Sequence, residues 1–389
     1  MLMVQEERLR TTHVGIDAHK TQLTVAILPP GQDSPERLTV ANNHRGYKKL
    51  VRKVKKFTPF HATACYEAGP CGYALQRALE ALGLECLVIA PSRIEQAPGK
   101  RVKNDRIDAA HLAELGRNGK LSVVLPPTPA SEGQRDLWRL RDDARQDLQR
   151  ARQRLEAFLT RWGRVFTDGR RWTRKHQDWL QKQKFSNPHS QSVFEELARD
   201  VHIQRSRLEE RTQRMLALTK EKGNEVLLRK VGYAQCFRGL AALASTALSL
   251  EVYDASVRFG RADALGAYLG LTPSEYSTGD REKRGAITRA GNHRVRRLLV
   301  EAATHYRGSK APTRRMRECQ RGQPAWIVRL ALQTEKRLCR KANRMLARGK
   351  DPKTVRIAIA RELARALWVA LCAAEQGPDY VPGTRCAVG

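Results

Sequence analysis

The stretch HVGIDAHKTQLTVAILPPG, residues 13–31, carries two β-rich runs separated by a short polar break and reads as two strands of a hairpin. Working outward, ERLTV at 36–40 reads as a third strand, and HATACYE at 61–67 and ECLVIAP at 85–91 as further ones. Helices fit between and after them at 46–56, 72–83 and 105–117. Strands alternating with helices from about residue 12 to 125 predict an α/β domain.

The composition changes at Pro126, Pro127 and Pro129, after which strand signals almost vanish. Leu137, Ala144, Leu148, Ala151, Leu155, Phe158 and Trp162 keep a four-three spacing broken only by Arg141, which predicts a long amphipathic helix. A second runs through Leu197, Ile203, Leu208, Met215 and Leu218, and Trp172, Trp179 and SNPHS between them mark the tip of a helical hairpin. A protruding coiled-coil arm and an ordinary bundle both fit this pattern. From about 226 the chain stays helical except for a Gly-, Ser- and Arg-rich insert at 268–292. The helix TVRIAIARELARALWVALCAA has an apolar face long enough for a core element. After Gln376 periodicity ends, so a disordered tail is expected.

Lysine and arginine number 72 against 40 acidic residues in 389, a formal charge of +32 that attracts polyanions and that compaction alone cannot favour. Nucleic acid is the expected partner. The chain has no run of about twenty apolar residues, which sets a membrane aside. The start, MLMVQEERLR, lacks the apolar core of a signal peptide, so a cytoplasmic, nucleoid-associated protein is expected. Eight cysteines without a C-x-x-C pair read as buried free thiols.

Four acids carry the chemistry. Asp17 sits inside a strand pattern where Val14 and Ile16 share one face, a costly place for a carboxylate unless a cation compensates it. Glu67 ends ATACYEAGP just before a Gly-Pro break, and Asp105 and Asp108 lie three apart in KNDRIDAAHLAEL, on one face of a helix. One acid on the first strand, one at a later strand end and a pair on the next helix can hold one or two Mg2+ ions for in-line phosphoryl transfer. Each also has an ordinary reading: Asp17 as a turn residue, Glu67 as a helix cap, Asp105 as an N-cap with Asp108 in the first turn.

The segments Gly15-Ile16-Asp17 with Lys20, Tyr66-Glu67-Ala68-Gly69-Pro70 with Tyr73, and Lys103-Asn104-Asp105-Arg106-Ile107-Asp108-Ala109 resemble the DEDD motifs of the bridge-RNA-guided insertion-sequence transposases. That family includes the Piv-type invertases, and its N-terminal domain is similar to the RuvC resolvase. The resemblance implies an RNase H-like (RuvC-like) domain over 1–128 with Asp17, Glu67, Asp105 and Asp108 as metal ligands. It further implies a helical coiled-coil arm over 129–225 and a mainly α-helical C-terminal transposase domain over 226–376, followed by the tail at 377–389. Asn104 stands where the family commonly has threonine.

GAYLGLTPSEYSTGDREKRGAITRAGNHRVRRLLVEAA, residues 266–303, is dense in small, hydroxylated and basic residues. From spacing alone it reads as a basic loop gripping DNA backbone, because a serine hydroxyl needs a base or metal to attack a phosphodiester. The segment resembles the family's C-terminal domain, in which a serine before a glycine becomes covalently joined to DNA. This resemblance assigns the nucleophile to Ser277, with Thr278 the rival because it directly precedes Gly279. Arg281, Lys283, Arg284, Arg289, Arg294, Arg296 and Arg297 in this segment, with Lys20, Lys103 and Arg106 near the acids, are the candidate nucleic-acid contacts. Upstream, CFRGLAALASTALSLEVYDASVRF is similar to the same domain's helical entrance, with Gly239 at a turn. Trp172, His176 and Trp179 suit either RNA contact or a core.

The expected activity is cutting and rejoining of DNA through a metal-assisted serine–DNA intermediate. By resemblance a noncoding bridge RNA pairs with donor and target DNA, and exchange between two duplexes calls for a homodimer or homotetramer. Two other readings stay open: a resolvase-type nuclease in which water attacks, and a noncatalytic nucleic-acid-binding protein.

Overall fold

The computed structural model describes residues 10–57, 61–91, 94, 105–278, 281–308 and 311–378, with backbone alone at 105–107, 275–278 and 281–284. The expected tail beyond 378, and Lys103 and Asn104, lie outside the described residues. The chain divides into two compact units, Met1–Pro126 and Pro127–Gly389.

The first unit is a six-stranded mixed sheet in the order β3-β2-β1-β4-β5-β6. Its strands are β1 (Thr12–Ala18), β2 (Gln22–Leu28), β3 (Glu36–Ala41), β4 (Ala62–Glu67), β5 (Glu85–Ile89) and the short β6 (Val123–Val124). The first three strands form an antiparallel meander, β4 and β5 run parallel to β1, and β6 pairs antiparallel with β5. Crossovers between parallel strands need a helix; α1 (His44–Val54) and α2 (Ala74–Ala81) supply them. Asn43 caps α1 by accepting from the Gly46 amide at 3.0 Å.

Strand alternation sorts β1 into two faces. Val14 and Ile16 pack with Leu23, Val25, Tyr66 and Val88 against Leu50 and Val54 of α1 and Leu75 and Leu79 of α2. On the opposite face, α3 (Asp105–Arg117) lies across the sheet, with Ala109 and Ala110 against Ala26 and Leu112 against Cys65 and Ile89. The sheet is therefore buried between helices on both sides, as near-continuous apolar strands require.

The second unit opens with α4 (Pro129–Arg161) and α6 (Pro188–Ala217), 33 and 30 residues long, paired antiparallel, with α5 (Arg174–Gln181) at their tip. The pairing is direct: Arg141 Nε bonds Thr212 Oγ1 at 3.2 Å and Arg154 Nη2 bonds Asp200 Oδ2 at 2.6 Å. Leu155, Phe158, Leu159 and Phe194 form the apolar seam. Trp162, expected on that seam, is 47% exposed because the helix ends there and it becomes the C-cap. Ile203, expected on the partner helix's buried face, is likewise 40% exposed. His176 is buried and packs against the rings of Phe166, Trp172 and Trp179 at the tip.

The rest of the unit is built from α7 (Glu225–Gln235), α8 (Ala242–Glu251), α9 (Ala255–Arg258), α10 (Ala262–Tyr268), α11 (His293–Ala303), α12 (Arg314–Gln320), α13 (Ala325–Ala347) and α14 (Pro352–Gln376). The last of these is the core element its periodicity implies: Ile359, Leu363, Leu367 and Leu371 are at most 1% exposed, inside the largest apolar cluster. Alanines at 360, 364, 370, 373 and 374 let neighbouring helices approach it closely. Gly239 turns the chain between α7 and α8 at φ +83, where a β-carbon would sit 2.8 Å from the Ala302 carbonyl oxygen. The Gly-, Ser- and Arg-rich insert is not a loop. It forms an antiparallel hairpin of β7 (Pro273–Thr278) and β8 (Arg281–Ile287), a signal that glycine and arginine masked.

Described cysteines are free thiols, five of the seven buried. Among the described residues no helix is long and apolar enough to cross a membrane.

Candidate active site

On β1 the core claims residues 14 and 16, so His13, Gly15 and Asp17 face α3. There is no room for a side chain at position 15: a β-carbon on Gly15 would lie 1.9 Å from the Ala109 carbonyl oxygen and 2.7 Å from the Ala113 nitrogen. Farther along, a β-carbon on Gly116 would meet His13 Nδ1 at 3.2 Å. These two contacts orient the helix. Its C-terminal end lies over His13, so α3 runs antiparallel to β1 and its first turn, holding Asp105 and Asp108, lies toward Asp17.

Glu67 arrives at the same end from the neighbouring strand. Ile16 pairs with Tyr66 in parallel register, and Asp17 and Glu67 are each the next residue. Both acids are at strand ends about 4.8 Å apart, on the face opposite the core side chains Ile16 and Tyr66. The segment after Glu67 is tied back by Cys71 Sγ to the Ala18 carbonyl at 3.4 Å and by the Tyr66 hydroxyl to the Gly72 carbonyl at 2.8 Å. Asp17 Oδ2 lies 3.1 Å from His19 Nε2, with its side chain 24% exposed, while Glu67 is open to solvent. Among the described residues no three His, Cys, Asp or Glu side chains converge as an ion cage, Asp105 being described by its backbone alone. Carboxylate oxygens at one sheet end are nonetheless the donor type that a hard divalent cation takes. Lys20, two residues past β1, is exposed; Arg106 is described by its backbone on α3.

In the second unit the hairpin stands on two glycines. Gly270 (φ +61) and Gly291 (φ +65) are in the left-handed region, and β-carbons there would sit 2.3 Å from the Ala290 oxygen and 1.8 Å from the Tyr268 oxygen. The two chain segments entering and leaving the hairpin thus meet backbone to backbone, which only glycine permits. Ser277 pairs with Glu282 and Thr278 with Arg281, at the end of the ribbon; residues 279 and 280 lie outside the described residues. Arg281, Lys283 and Arg284 are placed on β8 by backbone alone, and Arg289 is exposed at φ +55.

The remaining predicted contacts, all on α11, bond within their own unit. Arg296 Nη1 donates to the carbonyls of Leu269 and Ala290 at 2.7 and 2.9 Å, clasping both feet of the hairpin. Burial holds the Arg296 guanidinium below its ordinary pKa, and the nearby Arg289 charge adds to this. Arg294 reaches Asp143 at 3.0 Å and the Arg139 carbonyl at 3.2 Å, and Arg297 reaches Asp142 at 2.8 Å. Burial pushes the Asp142 carboxyl up, but the Arg145 hydrogen bond and the charges of Arg297, Arg145 and Arg294 outweigh it and hold the group below the usual carboxylate range.

Sequence reading missed the acid that organises this region. Glu251 is fully buried and accepts from Arg139 Nε at 3.1 Å and Asn292 Nδ2 at 3.0 Å, with Arg135 Nε 3.5 Å away. Asn292 in turn caps α11 by accepting from the amides of Arg294 and Val295. Arg139, Glu251 and Asn292, with Tyr268, Gly291, His293 and Arg294, line a cavity of about 370 Å3. Nothing in the pattern STALSLEVYD marks Glu251 as a hub, because its partners come from elements far apart in sequence.

A transposase family matches residues 14–163, and the family described as "Transposase IS116/IS110/IS902 family" matches residues 235–318. The chain is 36% identical over 362 residues to y4qE of Sinorhizobium fredii, named as a transposase, covering 92% of this chain and 88% of that protein. It is 31% identical over 341 residues to the transposase for insertion sequence element IS1533 of Leptospira borgpetersenii, covering 85% of this chain and 96% of the relative. A transposase for element IS1328 of Yersinia enterocolitica is 24% identical over 316 residues. With matches in both units and relatives aligned over nearly their whole length, this chain belongs to the IS110 family of insertion-sequence transposases, enzymes that act on DNA.

Proposed function

We propose that this transposase cuts and rejoins DNA through Ser277, with Asp17, Glu67, Asp105 and Asp108 as the metal-binding carboxylates of an RNase H-like (RuvC-like) N-terminal domain. The observation that carries the reading is the seating of α3 on Gly15, which turns the Asp105–Asp108 turn toward the strand ends bearing Asp17 and Glu67. A meander of three antiparallel strands followed by parallel β4 and β5 agrees with an RNase H-like sheet.

Magnesium held by these acids would orient the phosphate oxygens and offset the charge that builds on them. The Ser277 Oγ forms a bond to phosphorus as the P–O3′ bond breaks, and the hydroxyl proton leaves with the departing 3′ oxygen. The products are a free 3′-hydroxyl and a 5′-phosphoserine link. One diester replaces another, so an incoming 3′-hydroxyl can reverse the step and release the serine without a nucleotide cofactor. Lys20, Lys103 and Arg106, neighbours of the acids in sequence, and Arg281, Lys283, Arg284 and Arg289, which follow the serine in sequence, hold the DNA backbone. Behind them Arg296 holds the hairpin's feet, and Arg294 and Arg297 fasten α11 to α4. A noncoding bridge RNA selects the sites by pairing, a reading supported by the family resemblance and the charge of +32. A homodimer or homotetramer supplies the several serines that two duplexes need.

The test is recovery of a denaturant-resistant protein–DNA adduct in Mg2+. Ser277→Ala abolishes the adduct and strand exchange, Thr278→Ala retains both, and Asp17→Asn abolishes cleavage. Cleavage that persists in Ser277→Ala without an adduct would assign attack to water and refute the serine reading.

A further inference from the structure

Helix α13 carries a cationic stripe that pairs with no carboxylate among the described residues. Arg329, Lys336, Arg340 and Arg344 are all exposed and are spaced seven, four and four residues apart. At about 100° per residue these spacings keep them within one side of the helix, over a length of about 22 Å. The opposite side, with Ile327, Ala331, Leu338 and Ala342, is buried in the core.

Several exposed arginines of the second unit are ion-paired. On the α4–α6 pair, Arg154 meets Asp200 at 2.6 Å, Arg199 meets Glu196 at 2.6 Å and Arg214 approaches Glu210 at 3.6 Å. Beside the stripe, Arg337 and Lys341 both meet Glu362 of α14, at 2.8 and 3.1 Å. The only carboxylate within α13 is Glu335, which is buried and engaged by Arg238 at 2.6 Å. Along the stripe, Lys336, Arg340 and Arg344 stand at i, i+4 and i+8, where like charges oppose helix formation by a few tenths of a kcal/mol per pair. Such an arrangement is unfavourable until a polyanion covers it.

We propose that the exposed side of α13 is a docking surface for the phosphate backbone of duplex DNA flanking the exchanged sites. The stripe's length equals the axial rise of about six base pairs, so four cations can each face a separate phosphate. Double-stranded DNA is the occupant because the chain acts on DNA and the four charges form a straight row without exposed aromatic rings among them, unlike a platform that stacks unpaired bases. The stripe lies past residues 14–163 and 235–318, the segments matched by the family, and is independent of the Ser277 reading.

The experiment measures binding of a labelled, unrelated-sequence DNA duplex by the full chain at several salt concentrations. Each phosphate contact contributes about 0.9 to the slope of log K against log salt, so changing all four residues to Gln lowers the slope by about 3.6. The variant's loss of affinity at 50 mM salt therefore exceeds that at 200 mM by roughly a hundredfold. Replacing Arg329, Arg340 and Arg344 with Lys leaves the slope unchanged, since a point charge suffices. Changing four ion-paired arginines of the α4–α6 pair, Arg150, Arg154, Arg199 and Arg214, to Gln removes the same charge and shifts the slope by less than about one. An equal shift from both quadruple variants overturns the proposal, because bulk charge then explains binding. A shift seen with single-stranded RNA but not with duplex DNA also overturns it. Should the quadruple variant not fold, Arg344→Gln alone must lower the slope by about 0.9.

Discussion

Gly15→Ala is the sharpest test of how the acids are assembled. The new methyl would begin 1.9 Å from the Ala109 oxygen, and ordinary contact starts at 3.4 Å, so α3 must lift from β1 by about 1.5 Å. The atoms in the way are helix backbone, and Ala109, Ala113 and Leu112 beneath the helix are at most 2% exposed, so no flexible group can yield. Overpacking of this kind costs about 3 kcal/mol, which for a unit of this size lowers its melting temperature by about 10 °C. The same lift moves Asp105 and Asp108 away from Asp17 and Glu67. A displacement above 1 Å in a reacting constellation costs on the order of a hundredfold in rate. The assay is Mg2+-dependent cleavage well below the melting point, paired with thermal denaturation and compared with Gly133→Ala, a position outside the left-handed region with open space around it. Wild-type cleavage in a folded Gly15→Ala protein would show that the Asp105–Asp108 turn need not sit against β1, and the proposed carboxylate site would fall.

Gly291→Ala, whose methyl would meet the Tyr268 oxygen at 1.8 Å in a left-handed backbone, is expected to unseat the hairpin and abolish the DNA adduct while the helical core still melts cooperatively. Glu251→Gln leaves Arg135, 6% exposed, without its counter-charge, and should lower stability by about 3–5 kcal/mol in urea titration; a loss under 1 kcal/mol would contradict the hub assignment. Burial, reinforced by the Arg171 charge, holds His176 below its ordinary value of 6.5. The unfolded chain then takes the proton first, so stability is full above about 6.5 and declines as pH falls from there toward the folded value. His176→Gln should remove that share of the decline, read as the melting temperature of variant and wild type between pH 7 and pH 5.

The strands and helices of the first unit were legible because period-two and period-3.6 patterns report burial directly: HVGIDAHKTQLTVAIL contains β2 and all of β1 but Thr12, and DRIDAAHLAELGR is α3 from end to end. The hairpin at 273–287 was not, since SEYSTGDREKRGAI offers hydroxyls, charges and glycines with no alternating apolar face. Trp162 was misplaced for a related reason, because spacing continues past a helix end but burial does not. The α11 arginines looked like ligands for nucleic acid, and their acceptors, the carbonyls of Leu269 and Ala290 and the carboxylates of Asp142 and Asp143, belong to segments that only folding brings near.

By itself the sequence determined the chemistry available: the α/β class, the four acids, the hydroxyls before Gly279 and the polycationic balance are all properties of residue type and local order. Tertiary structure alone decided which way α3 crosses β1, that Glu251 unites Arg135, Arg139 and Asn292, and that four cations of α13 meet no carboxylate among the described residues. Those outcomes depend on contacts between residues tens of positions apart, and no local periodicity encodes the distance between two such side chains.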